Sequence, residues 1–192
     1  MSLGFPAMKT LLALTLALSL NVVAFAANTK PIEDVFQRYW SAYAKKDFVK
    51  AAADVLPSDL EDAKAALLPV FIQAQGHRDK EVQEMVTAFF GRTVGKSRET
   101  LSPTDVYAGL NRLITAGNAE FFEVLKEAAL SIIFVRTPDD DNAEVHFQVT
   151  IRGQSDTDAE TLTKKNGRWW VRINEDPKEV AAHFKEMLAK KS

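Results

Sequence analysis

Residues 143–152 alternate without a break: Ala143, Val145, Phe147, Val149 and Ile151 in one phase, Glu144, His146, Gln148, Thr150 and Arg152 in the other. Successive strand side chains point to opposite faces, so this period of two specifies a strand packed on one side and wetted on the other. One-faced strands of this kind belong to antiparallel sheets. Downstream, Asn166-Gly167 sits between two strand-like runs, Glu160–Lys165 and Arg168–Ile173. Asn-Gly is a strong two-residue hairpin signal, and that loop length sets Leu162 opposite Val171 and Thr163 opposite Trp170. Upstream, Ala129–Arg136 is apolar in both phases, as expected of a central strand, and 137–142 (TPDDDN) reads as a turn. Gly153–Asp158 is read as the turn between the second and third strands.

The first half of the chain has a helical period instead. Ile32, Val35, Phe36, Tyr39 and Tyr43 recur at helix spacing behind Pro31. Asp47 is placed to cap a second helix that Pro57 stops, and Ser58 with Glu61 has capping-box spacing for a third. Asp79 opens a fourth that Gly91 closes, and Ser102-Pro103 starts a fifth. Gly117-Asn118 separates that helix from a short one containing Phe121, Phe122 and Leu125. After Pro177, the stripe Val180, Phe184, Met187 and Leu188 gives a closing amphipathic helix. The expected fold is α+β: helices, then a curved four-stranded antiparallel meander, then a C-terminal helix.

The N-terminus has another layout. Lys9 precedes an apolar run at 11–20, followed by Ala24-Phe25-Ala26, the pattern of a secretory signal peptide cleaved after Ala26. Residues 1–26 are read as that leader and 27–192 as one globular domain, periplasmic or secreted, with no membrane attachment once the leader is gone. The run falls short of the ~20 apolar residues of a membrane span. Cysteine is absent, which excludes disulfides, thiolate chemistry, cysteine zinc sites and a lipidated cysteine. A net charge of −2 gives no sign of a nucleic-acid partner.

Candidate chemistry is sparse. The segment 91–97 (GRTVGKS) has three residues between its glycines where a phosphate-binding loop needs four, and it follows a helix rather than a strand. Asp139-Asp140-Asp141 and Asp156/Asp158/Glu160 carry the oxygens that calcium wants, but both are read as solvated turns. No histidine pair has ligand spacing, so neither metal nor cofactor is expected. His146 shares a strand face with Glu144 and offers a general base. The register turns it away from Val145 and Phe147, and the expectation is that it is not catalytic. Trp170 stands on an otherwise polar face with Arg168, Arg172, Thr161 and Thr163 around it. That is the anatomy of an interface, here a homodimer, unless the helix at Val180–Leu188 folds over the ring.

Two stretches, 36–56 (FQRYWSAYAKKDFVKAAADVL) and 165–173 (KNGRWWVRI), resemble the opening helices and closing hairpin of the NTF2-like (SnoaL-like) α+β superfamily. Residues 58–126 carry more helix than that family has before its sheet. The resemblance implies helices packed into the concave face of a curved sheet, often around an apolar cavity, and it implies no single activity. It also places catalytic side chains on the helix-facing register, read here as Ala143, Val145, Phe147, Val149, Ile151, Trp169, Val171 and Ile173, without acid or base. The expected function is therefore a non-catalytic binding domain for a small apolar ligand or a protein partner. Phe36, Tyr39, Tyr43, Phe147 and Trp169 would line the pocket. The alternative is an enzyme of the isomerase, dehydratase or hydrolase type using His146 with Glu144 or Asp47.

Overall fold

A computed structural model describes residues 28–91 and 98–191. The proposed leader and most of the phosphate-loop-like segment lie outside them. Helix α1 (Lys30–Ala44) is followed by α2 (Phe48–Ala52), α3 (Pro57–Gln73), α4 (Lys80–Phe90), α5 (Pro103–Gly117) and α6 (Ala119–Leu125). Strands β1 (Ala129–Arg136), β2 (Asn142–Ile151), β3 (Gln154–Lys165) and β4 (Arg168–Val171) form one sheet in chain order, and α7 (Pro177–Lys190) closes the chain. All three strand pairs are antiparallel, so the fold is α+β with a meander sheet that does not close on itself.

Local chemistry sets the helix ends. Asp47 caps α2 through Lys50 N–H, and Asp79 caps α4 through Val82 N–H. Ser102 and Asp105 complete a reciprocal capping box on α5 with Pro103 in the first turn. The expected Ser58–Glu61 box does not form. Pro57 itself opens α3, with its fixed φ suited to a first turn, and Leu56 stands at the cap position.

Two packed layers result. In one, α3, α4, α5 and α7 enclose Leu67, Phe71, Val82, Phe89, Phe90 and Phe184. Phe71 stacks on Phe89 at 3.8 Å between ring centroids and on Phe184 at 4.3 Å. Helix α7 is thereby committed to α3. In the other layer, α1 lies across the sheet, with Phe36 against Phe147 at 4.8 Å and Val145, Leu162 and Val171 beneath. The layers meet at α5, whose Tyr107 belongs to the sheet-side core and whose Val106 and Leu110 belong to the helical one, and α4 crosses α5 at Gly109. An added Cβ at Gly109 would stand 2.7 Å from the Phe89 carbonyl oxygen, a backbone atom that cannot swing aside. Gly109→Ala gains about 1 kcal/mol of helix propensity but forces the helices apart, and a net loss of about 1–2 kcal/mol is expected. Urea unfolding measures it, and a variant at least as stable as wild type would refute this account of the crossing.

The sheet corrects two readings. Strand β1 is an edge, not a central strand: Ile133 and Phe134 are 53% and 51% exposed, and the ladder to β2 is irregular between Ile132 and Phe134. The turn after β2 is also tighter than read. Arg152 (φ 52°) and Gly153 (φ 82°) make the whole loop, both in the left-handed region that a two-residue hairpin turn of the primed kind uses. Strand β3 therefore begins at Gln154, and Asp156, Asp158 and Glu160 are strand residues instead of a solvated turn. The hairpin at Asn166-Gly167 has the expected register, Leu162 opposite Val171 and Thr163 opposite Trp170. The outer edge of β4 is occupied by 54–56: Val171 N–H donates to Asp54 O, and Leu56 N–H donates to Val171 O, both at 2.9 Å. Asp54 is buried there, accepting from Arg38 and Arg168 at 2.9 and 3.2 Å.

Candidate functional site

Between α1, α5 and the helix-facing side of the sheet lies a cavity of about 810 Å³. Helix spacing supplies its first wall, since Tyr39 and Tyr43 fall one turn apart on α1 with Trp40 beside them. Tyr107, Leu110, Asn111 and Ile114 face it from α5. Strand β2 contributes the inward phase, Phe147, Val149 and Ile151. The register then decides the third wall. Val145 pairs with Glu160, Phe147 with Asp158 and Val149 with Asp156, and paired residues share a face of the sheet. Carboxyl groups therefore stand on the helix-facing side, contrary to the expectation of a register without acid or base. Arg172, Asn174 and Glu175, just beyond β4, complete the boundary.

The electrostatics follow from this burial. Glu160 is pushed up to about 8, chiefly by burial, with the charge of Glu175 adding to it. Asn174 Nδ2 donates to Glu160 Oε1 at 2.9 Å and partly offsets the rise. Across the cavity, the Tyr39 and Tyr107 hydroxyls are 3.1 Å apart and share a hydrogen bond. Both phenols are raised above their ordinary range, principally by burial. Tyr43 is pushed up to about 12 by burial and by the charges of Glu175 and Glu160. Asn111 Nδ2 donates to the Tyr107 carbonyl at 2.9 Å, which fixes its side chain along α5.

Of the five side chains expected to line a pocket, the structure brings Tyr39, Tyr43 and Phe147 together on this wall. Phe36 lies fully buried behind Phe147, inside the packed core. Trp169 packs at the margin of that core with Lys164 Nζ 5.9 Å from its ring centroid. On the opposite side of the sheet, Arg168 lies over Trp170 at 3.9 Å and donates to Ala53 O and Asp54 Oδ1. Arg172, expected beside Trp170, instead donates from Nε to Asp59 Oδ2 of α3 at 2.7 Å. His146 stacks on Phe134 at 4.2 Å, with Nε2 3.4 Å from Glu144 Oε2, and it does not border the cavity. Asp47 is engaged as the α2 cap. Among the described residues, no group of three or more His, Asp or Glu side chains is placed to hold a metal ion.

The sequence pattern does not mark Trp40, Tyr107, Asn111 or Glu175 as site residues, and it offers Glu160 only as part of an acidic group at a turn. For Glu160 a signal was present: counting back from a two-residue turn at Arg152-Gly153 puts Glu160 opposite Val145.

No protein-family model matches the chain, and neither a curated protein nor a solved structure does. Among the described residues, no helix is long and apolar enough to cross a membrane.

Proposed function

We propose that this chain is an exported binding protein that houses a small ligand with an apolar body, without transforming it. The cavity carries the proposal. At about 810 Å³ it falls within the range of small-molecule sites, roughly 300–1,000 Å³, and it combines an apolar wall with a few polar groups at one side. The placement of α1 across the sheet supports the NTF2-like resemblance, and the sequence at 11–26 supports export, which N-terminal sequencing of the exported protein tests. The binding test uses N-phenyl-1-naphthylamine, an uncharged dye that fluoresces in apolar surroundings. Ile114, 39% exposed on the cavity wall, can be enlarged without emptying the core. The dye is expected to bind the wild type, and Ile114→Trp to weaken binding by about tenfold through lost volume. Equal binding by both proteins, or none by the wild type, would reject the cavity as the site.

A second reading concerns the sheet's other side, where self-association as a dimer is supported by the exposed Ile133 and Phe134 and by Trp170, half-buried beneath Arg168. Light scattering is expected to give the mass of two chains, reduced to one in Trp170→Ala. A monomeric wild type removes this reading and leaves the cavity untouched.

A further inference from the structure

We propose that the cavity selects ligands bearing an ammonium group on an aromatic or aliphatic body, the cation lying beside the Glu160 carboxylate and against the α1 trio Tyr39, Trp40 and Tyr43. The proposal rests on the binding reading above and adds the ligand's charge to it.

The balance of charge on the cavity wall is the first argument. Asp156, Asp158, Glu160 and Glu175 all border it. The two arginines that also border it are answered by other carboxylates: Arg172 by Asp59 at 2.7 Å, and Arg152 by Glu127 at 3.5 Å. An anionic ligand would meet an uncompensated negative wall, whereas a cation meets its complement. The shape of that charge is the second argument. Among the described residues the carboxyls do not converge as a metal-holding group, so they suit a charge spread over an organic cation better than a bare ion. The aromatic wall is a third and independent one. Trp40 and Tyr43 are stacked, with ring centroids 6.3 Å apart, and Tyr39 lies 5.8 Å from Tyr43. Aromatic faces attract ammonium groups through the ring quadrupole, most strongly where water is excluded.

Glu160 gives the site a pH signature. The ionisable groups around it are Asp158 on its own strand, Glu175 and Arg172 beyond β4, Tyr39 and Tyr43 on α1, and Tyr107 on α5. The phenols, all raised, stay neutral through this range, and Arg172 is held by Asp59. Empty, the site keeps a proton on Glu160 up to about pH 8. A bound cation favours the ionised carboxylate and expels that proton. Affinity then climbs by up to about tenfold per pH unit and levels off above the Glu160 midpoint.

Benzyltrimethylammonium, which never loses its charge, is the probe. Benzyl alcohol and phenylacetate carry the same ring with no charge and with a negative one. Calorimetric titrations on either side of pH 8, with displacement of the naphthylamine dye to locate binding, are expected to rank the ammonium first and to show its affinity rising with pH. Glu160→Gln, isosteric with the protonated acid, should abolish the rise and cost about tenfold or more above the midpoint. Glu175→Gln, at an exposed position, should move the midpoint to lower pH by removing the charge that holds it up. If benzyl alcohol or phenylacetate binds as tightly as the ammonium, the charge assignment falls and the binding reading stands. If the ammonium binds best but ignores both pH and Glu160→Gln, Glu160 is not its partner and the proposal fails. If neither the dye nor any of the three probes binds, both readings fail.

Discussion

Phe71→Ala should lower stability by about 3–5 kcal/mol, the usual cost of removing a buried phenylalanine. Phe71 is 1% exposed, and its ring is sandwiched between Phe89 of α4, parallel to within 1°, and Phe184 of α7. Truncation therefore removes two stacking partners at once and leaves a hole where three helices meet. The surroundings are poorly placed to collapse into it, because α4 is already pressed against α5 at Gly109 and Arg112 Nη2 holds the Phe89 carbonyl at 2.7 Å. Domains are stable by only about 5–15 kcal/mol, so the variant should lose about a fifth or more of the total. Chemical denaturation followed by circular dichroism measures this. A loss below about 1 kcal/mol would mean that the helical layer repacks freely and that the stack is not a structural joint.

Glu160→Gln should act in the opposite direction. A glutamate normally titrates at 4.5, whereas Glu160 in the folded chain does so at about 8. Between those values the folded protein keeps a proton that the unfolded chain has released. Unfolding then sheds a proton, and stability falls as pH rises, by up to about 1.4 kcal/mol per pH unit. The favourable contribution of the neutral acid is complete below 4.5 and is gone once pH has passed 8. Glutamine mimics the neutral acid at every pH and removes the slope. The variant should match wild type near pH 4 and exceed it near pH 7 by on the order of 3 kcal/mol. Parallel stability curves for the two proteins across this range would show that Glu160 is not desolvated in the folded state.

The helices and the closing hairpin were legible because local chemistry specifies them. Asp47, Asp79 and Ser102 each cap the helix expected of them, and Asn166-Gly167 sets the β3–β4 register by loop length alone. The cavity's polar wall was not legible, for a reason that lies at two places in the chain. Arginine is an unusual occupant of a left-handed turn position, so Arg152 did not announce the hairpin, and Asp156-Thr157-Asp158 has turn-like composition. Once the turn is set at Arg152-Gly153, the inward phase of β3 follows by counting, and Asp156 and Asp158 move from a loop to the cavity wall beside Glu160. The edge position of β1 was hidden differently. Its exposed Ile133 and Phe134 are apolar, and apolarity in both phases ordinarily marks a strand covered on both faces. Alternation places Arg172 on the face of Trp170, but its partner Asp59 on α3 is distant in sequence and no local pattern announces that pair.

A sheet's capacity to add strands depends on how many of its margins are still open. Here the chain itself at 54–56 closes the β4 margin at Val171, and β1 has no second neighbouring strand among the described residues. Strand β4 reaches only residues 162–165 of β3, so the first half of β3, Gln154 to Glu160, has no β4 partner either. Growth by strand addition thus has two places to start, β1 and the first half of β3. The acidic Asp156 and Asp158 on that second stretch are the kind of edge charge that discourages pairing with another copy.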